Sequence, residues 1–215
     1  MTHQNLSRRD FLKLSGLALA TSVVTCSGLG YVATQAPPLS FPELNLRKEH
    51  PMNKHILIAY ATRAGSTAEI AATLGETIAG RGFSVEVKPV KKVSSLDGYQ
   101  AVILGSAIRM GNWLPEMVKF IQSNQSVLNG LPAALFTVHM LNAGDDEASQ
   151  TARAAYTAPV RALLPNAPEV FFTGVMDFSR LSFLDRFIAS MVKAVESDQR
   201  DWNAIRRWAE TVSLG

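Results

Sequence analysis

The chain has 215 residues, with 21 Lys and Arg against 18 Asp and Glu. Its first 36 residues carry Arg8, Arg9 and Lys13 but only one acidic residue, Asp10, so most of the net charge of +3 lies in this leader. The remainder is nearly neutral, which gives no support to nucleic-acid binding. The single cysteine, Cys26, excludes an internal disulfide and a metal site built from several cysteines.

The leader has the pattern of an export signal. Residues 7–13, Ser-Arg-Arg-Asp-Phe-Leu-Lys, precede an uncharged stretch from Leu14 to Ala36. Paired arginines before a weakly apolar run are typical of a twin-arginine signal, which predicts the Tat translocase as a partner. The expected location is the periplasm or the outer face of the cytoplasmic membrane. The small residues at 34–36 suit a signal peptidase, whereas about 20 uncharged residues also suffice for a membrane anchor, so both forms stay open.

The rest of the chain divides into a short linker and one domain. Residues 37–53 contain four prolines among polar residues, which predicts an extended linker between the leader and the domain. Residues 54–215 fall within the usual range of about 100 to 200 residues for a single domain. We therefore expect one sizeable core.

The domain alternates between predicted strands and helices. A continuous apolar run at Ile56–Tyr60 predicts a buried strand, and the helical spacing of apolar residues over 68–80 predicts the helix after it. Four more apolar runs predict strands at 85–90, 101–104, 133–138 and 170–173, separated by predicted helices near 115–125, 147–164 and 201–213. Five such strands indicate an α/β fold with a doubly wound parallel sheet, whose ligands bind at the carboxyl ends of the strands.

The loop after the first strand is the clearest functional motif. Its sequence, Thr62-Arg63-Ala64-Gly65-Ser66-Thr67, leads directly into the predicted helix. The glycine lets successive amides point inward, the hydroxyls can donate hydrogen bonds, and the helix N-terminus favours an anion. The loop matches neither a Walker motif nor Gly-x-Gly-x-x-Gly. A phosphate monoester such as that of FMN fits better, although these residues could also cap a helix that binds no ligand.

Three further segments occur in the order expected of one family. They are residues 102–111 (Val-Ile-Leu-Gly-Ser-Ala-Ile-Arg-Met-Gly), residues 183–187 (Phe-Leu-Asp-Arg-Phe) and Asp201-Trp202. Together with the loop at 62–67, they make residues 54–213 resemble the flavodoxins. More narrowly, they resemble the flavodoxin-like protoporphyrinogen oxidases that pass electrons to menaquinone. The resemblance implies a flavodoxin-like sheet with strand order 2-1-3-4-5 and FMN as the cofactor.

The same resemblance places FMN between three loops. Residues 62–67 would bind the phosphate, residues 107–113 would run along one side of the isoalloxazine, and residues 139–145 would close the other. Ala64 departs from the family, which commonly has Ser or Thr there, and so removes one hydroxyl donor. The residues expected to bind FMN are Thr62, Arg63, Ala64, Gly65, Ser66, Thr67, Ser106, Ala107, Ile108, Arg109, Met110, Gly111, Trp113, His139, Met140, Leu141, Asn142 and Gly144.

Three side chains in these loops each have two interpretations. Trp113 either stacks on the flavin or anchors the helix that begins at Pro115. Arg109 is the candidate catalytic residue, which would stabilise reduced flavin or bind a substrate carboxylate, and its alternative is a surface ion pair or a contact that braces the loop. His139 either hydrogen-bonds the flavin or substrate or has a structural role.

Residues 183–195 have apolar side chains at helical spacing and predict an amphipathic helix. This helix would either lie on a membrane and meet a quinone or bury its stripe against the sheet or another subunit. We expect an FMN-dependent oxidoreductase that passes electrons from a small organic reductant to a quinone or another membrane redox partner. The resemblance suggests a porphyrinogen, although haem synthesis is cytoplasmic and this chain carries an export signal. The alternatives are an electron carrier without its own substrate and a tethered binding domain that has lost the cofactor.

Overall fold

A computed structural model describes residues 41–47, 54–191 and 194–215. The predicted export signal at 1–36 and much of the predicted linker lie outside these described residues. The described strands are β1 (Leu44–Leu46), β2 (His55–Ala61), β3 (Ser84–Pro89), β4 (Ala101–Arg109), β5 (Asn112–Trp113), β6 (Ala133–His139), β7 (Glu169–Thr173), β8 (Val175–Met176) and β9 (Ser197–Asp198). The described α-helices are α1 (Ser66–Gly80), α2 (Pro115–Ser123), α3 (Gln125–Leu128), α4 (Glu147–Arg161), α5 (Phe183–Met191) and α6 (Trp202–Thr211).

The chain divides into two compact units. Of the described residues, the larger unit comprises 41–47, 54–180 and 195–215, and the smaller one comprises 181–191 and Ala194. The segment 181–194 is therefore an excursion that leaves the larger unit after Arg180 and returns to it at Val195.

The larger unit contains the sheet that the apolar runs predict. Its strand order is β1-β3-β2-β4-β6-β7, and β2, β3, β4, β6 and β7 are parallel. In chain order, these five strands lie 2-1-3-4-5 across the sheet, which confirms the predicted order. Strand β2 is buried on both faces because Ile56, Ile58 and Tyr60 pack into one core while Leu57 and Ala59 pack into the other.

Residues of the predicted linker contribute a strand to this sheet. β1 pairs antiparallel with β3, and Phe41, Leu44 and Leu46 pack against the core. The Tyr60 hydroxyl donates a hydrogen bond of 2.8 Å to the Pro42 carbonyl. This addition covers the edge of β3 that would otherwise present unpaired backbone groups.

The third parallel strand is longer than its apolar run predicts. β4 continues to Arg109 and turns through Met110 and Gly111 into β5, with Ile108 opposite Trp113. Both turn residues have positive φ, 51° at Met110 and 75° at Gly111. This is the conformation of a two-residue hairpin turn, which suits glycine and is rare for methionine. The second of the three loops expected to bind FMN, residues 107–113, is therefore a hairpin.

In the smaller unit, the described residues form helix α5. The Ser182 hydroxyl accepts a hydrogen bond from the Asp185 amide at 3.1 Å and so caps the start of the helix. Phe183, Phe187 and Met191, spaced four residues apart, are 72%, 57% and 69% exposed. The predicted amphipathic helix is thus present over Phe183–Met191 and carries an exposed apolar stripe, whereas Ala194 and Val195, at the end of the predicted span, are not helical. Among the described residues, none of the helices combines the length and apolar character that a membrane crossing requires.

Candidate functional site

The loop from Thr62 to Thr67 joins β2 to α1 at the carboxyl end of the sheet. Gly65 has a φ of 94°, and its amide donates a hydrogen bond of 3.0 Å to the Thr62 hydroxyl oxygen. Since that oxygen accepts, the Thr62 hydroxyl proton is available to a ligand. No side chain caps the start of α1 among the described residues. The backbone amides of Ser66 and Thr67 therefore have no intrahelical partner, whereas the Ala68 amide donates to the Gly65 carbonyl at 2.9 Å.

Thr67 provides a direct test of whether this loop suits a phosphate. Its side chain is fully buried, and among the described residues its hydroxyl has no hydrogen-bond partner. An unpaired buried hydroxyl costs on the order of 1–3 kcal/mol, so native proteins rarely leave one without a hydrogen-bond partner. A phosphate oxygen in the loop would accept this hydrogen bond. The residues present therefore fit the cofactor phosphate that the sequence predicts.

Two neighbours of the loop shape it further. Ser66 is buried, and a Cβ atom on Gly174 would lie 3.2 Å from its hydroxyl oxygen and 2.8 Å from a methyl carbon of Val138. Because Gly174 has no side chain, the Ser66 hydroxyl fits beside it without a clash. Ala64 adds no hydroxyl, as the sequence predicts.

Arg63 is engaged by a carboxylate of the neighbouring helix. Its guanidinium pairs with both carboxylate oxygens of Glu116 in α2, with an Nη2–Oε2 distance of 3.0 Å. Burial alone would raise the pKa of Glu116, but the Arg63 guanidinium holds that pKa below its usual value. This ion pair ties the phosphate loop to the helix that comes after the hairpin.

The hairpin of β4 and β5 buries two of its predicted site residues, Ser106 and Trp113. Ser106 is buried, and its hydroxyl donates to the Ala107 carbonyl and accepts from the Leu114 amide, both at 2.9 Å. Trp113 is only 3% exposed, and its indole nitrogen donates a hydrogen bond of 2.9 Å to the Thr137 hydroxyl. This geometry favours the anchoring role of Trp113 over stacking on the flavin.

At the tip of the hairpin, an aliphatic side chain takes the exposed position. Met110 is 78% exposed, and Arg109 and Gly111 beside it are also exposed. Met110 therefore presents the apolar surface that Trp113 would have presented in its stacking role.

The third predicted loop begins at His139, at the end of β6. Its ring is buried and lies 6.4 Å from the Tyr156 ring and 6.1 Å from the Phe171 ring. Nδ1 lies 2.8 Å from the Leu141 carbonyl oxygen, which can only accept, so Nδ1 carries the proton. Burial lowers the pKa of His139, although the bond to Leu141 opposes the shift. The structural role of this histidine is favoured.

Two residues of α4 brace this loop, and sequence reasoning missed both. Asn142 has a φ of 59°, and its side-chain amide nitrogen donates a hydrogen bond of 2.5 Å to the Tyr156 hydroxyl. Arg153 donates to the carbonyls of Asn142 and Gly144 at 2.5 and 2.6 Å. Leu141 is 57% exposed between these braced residues. The loop therefore presents Leu141 much as the hairpin presents Met110.

Clefts border both loops. One of about 400 Å³ lies beside the third loop, and its lining includes His139, Asp145, Arg153 and Phe171. Another of about 350 Å³ lies between α2 and α4, with Trp113 and Tyr156 in its lining. Both volumes are in the range of small-molecule sites, which begins at about 300 Å³.

Comparison with known proteins agrees with this fold. The model of the flavodoxin domain family matches residues 57–203, and the chain belongs to that family. Its sheet order is that of a flavodoxin-like protein.

Two individual proteins similar to this chain are identical to it at a quarter or fewer of the aligned positions. Protoporphyrinogen IX dehydrogenase (quinone) of Escherichia coli strain K12 is 25% identical over 173 residues, which span 73% of this chain and 93% of that protein. The rubredoxin oxygen:oxidoreductase of Desulfovibrio gigas superposes with a TM-score of 0.50 at 15% identity, over 75% of this chain. The chain spans only 35% of the length of that enzyme.

A flavodoxin of Fusobacterium nucleatum, solved with flavin mononucleotide bound, superposes with a TM-score of 0.46 at 13% identity, over 73% of this chain and 95% of its own. The family match confirms the predicted flavodoxin-like fold.

Proposed function

We propose that this chain is an FMN-dependent oxidoreductase that passes electrons from a reduced organic substrate through FMN to a quinone. The observation that carries the proposal is the buried Thr67 hydroxyl, which has no partner among the described residues, at the start of α1. The similarity to a quinone-dependent protoporphyrinogen IX dehydrogenase supports the reaction class.

The phosphate would bind in the loop from Thr62 to Thr67. Thr67 and Thr62 would each donate a hydroxyl hydrogen bond, and the backbone amides of Ser66 and Thr67 would donate two more. The positive end of the helix dipole adds to the attraction for a dianion. Because Arg63 is paired with Glu116, recognition rests on neutral donors rather than on that guanidinium.

The isoalloxazine would lie between the hairpin and the third loop. Met110 and Leu141 present exposed apolar side chains there, whereas the indole of Trp113 and the ring of His139 are buried. Apolar side chains on both sides would exclude water from the redox centre and let the ring bury its own apolar surface. Tyr156 and Arg153 would keep Leu141 in place through their bonds to the loop.

Arg109 is the residue we assign to the substrate. It lies at the end of β4 directly before the hairpin tip and is exposed. A guanidinium binds a carboxylate through two parallel hydrogen bonds, which would orient an acidic substrate such as a porphyrinogen. FMN, when bound, would supply the hydride and electron transfer itself.

The quinone would be reached at a lipid surface. Helix α5 exposes Phe183, Phe187 and Met191 along one stripe, with Arg186 on the same helix. Such a helix can lie in the interface of a bilayer, where lipid-soluble quinones reside. Together with the predicted twin-arginine signal, this supports a location on the outer face of the cytoplasmic membrane, with the uncharged stretch from Leu14 to Ala36 as a second contact with lipid.

Electron transfer by the purified full-length chain tests this proposal. Under anaerobic conditions, protoporphyrinogen should bleach the flavin absorption of the FMN-loaded protein, and a soluble menaquinone analogue should restore it. Arg109→Ala should bind FMN with unchanged affinity and be bleached at least tenfold more slowly. A protein that takes up FMN but is bleached only by a reduced redox protein, and not by organic reductants, would instead be an electron carrier.

The membrane part of the proposal needs its own measurement. Phe187→Ser in the full-length chain should weaken binding to anionic vesicles, whereas Val127→Ser, at a half-exposed valine of α3 in the larger unit, should not. Equal binding by both variants would contradict the role of α5.

A further inference from the structure

Five alternating charges connect helix α1 to the chain on both sides of the excursion. Glu69, in the first turn of α1, binds Arg180 through Oε1 at 2.7 Å and Arg200 through Oε2. Arg180 also binds Asp177 at 3.0 Å, and Arg200 binds Asp198 through Nε at 2.8 Å and through Nη2 at 2.5 Å. The Arg200 guanidinium lies 4.4 Å over the Trp202 ring. Each arginine is thus held from two sides.

The arginines and aspartates that surround Glu69 lie in the two chain segments that flank the excursion. Val175 pairs with Asp198 and Met176 with Ser197 in the antiparallel ribbon of β8 and β9, and the Gln199 amide donates to the Gly174 carbonyl at 3.1 Å. Arg180 is the last residue before the excursion, and Arg200 comes after the ribbon. Glu69 therefore bonds both sides of this stem, which we define as residues 174–180 and 195–200.

The network also borders the phosphate loop. The Glu69 amide donates to the Gly65 carbonyl at 3.1 Å, which places Glu69 one helical turn behind the loop. A Cβ atom on Gly65 would lie 3.4 Å from Nη1 of Arg180. The carboxylate of Glu69 is charged, because the two arginines hold its pKa below the usual value despite burial, which would raise it. A negative charge so close to the loop would repel a phosphate dianion unless the arginines neutralise it.

We infer that Arg180 and Arg200 neutralise Glu69 beside the phosphate loop, and that they thereby couple phosphate binding to closure of the excursion stem. With a phosphate in the loop, separating the arginines from Glu69 would leave two like charges close together, so the bound phosphate favours the closed stem. Coupling is reciprocal, so the closed stem also favours the phosphate. Arg180 and Arg200 are positioning residues that act on the cofactor through Glu69. This inference rests on the proposed binding of FMN.

Comparison of FMN with riboflavin, which lacks the phosphate, isolates this coupling. In the full-length chain, Arg180→Met should weaken FMN binding about three- to tenfold and leave riboflavin binding unchanged, because Glu69 then faces the phosphate with one arginine fewer. Glu69→Gln should bind FMN at least as tightly as the wild type. The double variant, which combines Glu69→Gln with Arg180→Met, should recover the FMN affinity that Arg180→Met alone loses. The matched control is Glu76→Gln, at an exposed position on the same helix.

Hydrogen exchange of the stem provides the second readout. FMN should slow exchange at residues 175–176 and 197–198 about threefold or more beyond any effect of riboflavin, and Glu69→Gln should abolish this difference. Equal effects of Arg180→Met on FMN and riboflavin, or a loss of FMN affinity in Glu69→Gln, would overturn the inference while leaving FMN binding intact. Failure of the wild type to bind either flavin would instead overturn the proposed function.

Discussion

Replacement of Thr67 by valine should change stability and cofactor affinity in opposite directions. Valine has nearly the same shape as threonine, so the substitution removes the hydroxyl without opening a cavity. The hydroxyl is fully buried and has no partner among the described residues. Its removal should therefore leave the free energy of unfolding of the cofactor-free protein unchanged or raise it by about 1 kcal/mol.

In the presence of FMN, the same substitution should be costly. A hydrogen bond to a charged group contributes about 1.5–3 kcal/mol, which corresponds to a rise of about 10- to 100-fold in the Kd for FMN. Riboflavin, which has no phosphate, should bind Thr67→Val and the wild type equally. The measurements are urea unfolding of the cofactor-free proteins and fluorescence titration with both flavins.

A matched control lies on the same helix. The Thr77 hydroxyl donates to the Thr73 carbonyl at 2.8 Å, about three turns beyond the loop, so Thr77→Val should leave FMN affinity unchanged. The reasoning is refuted if Thr67→Val destabilises the cofactor-free protein by more than about 1 kcal/mol and leaves the Kd for FMN within about twofold of the wild type. That result would mean that the hydroxyl has a partner within the protein rather than in the phosphate.

Three further substitutions test the rest of the site. Trp113→Phe should lower the free energy of unfolding by about 1–2 kcal/mol through loss of the bond to Thr137, with little change in flavin affinity as followed by titration. Leu141→Ala should weaken FMN and riboflavin equally, by about 3- to 30-fold, because it removes contact with the ring. Burial lowers the pKa of His139 below 6.5, so its neutral form favours folding, and stability should fall as the pH drops through 6.5. His139→Gln should flatten that part of the stability profile in urea unfolding between about pH 5 and pH 8.

The parallel sheet could be predicted because each strand is a continuous apolar run before a helical pattern. Ile56–Tyr60 is the clearest example, since both faces of β2 are buried and every residue contributes to a core. The loop from Thr62 to Thr67, which joins β2 to α1 at the predicted place, could be predicted for a similar reason. Its glycine and hydroxyl residues are adjacent in sequence, so the motif does not depend on distant partners.

Features that depend on distant contacts could not be predicted. β1 is a short strand that gains its stability from β3, far later in the chain, while the prolines around it favour a linker. Both roles of Trp113 fit its position before Pro115, and only the bond to Thr137 distinguishes them. The hydrogen bonds that Arg153 and Tyr156 make with residues 142–144 correspond to no recognisable motif in the sequence of α4. Likewise, Glu69 lies 111 and 131 residues before the two arginines that bind it.

The most direct test of the account is the identity of the bound cofactor. The full-length chain should be purified and its visible absorption spectrum recorded, and the small molecule released on denaturation should be identified by mass. The account predicts the two absorption bands of an oxidised flavin and the release of FMN. A colourless protein that also fails to take up added FMN, while its sheet remains folded, would contradict it.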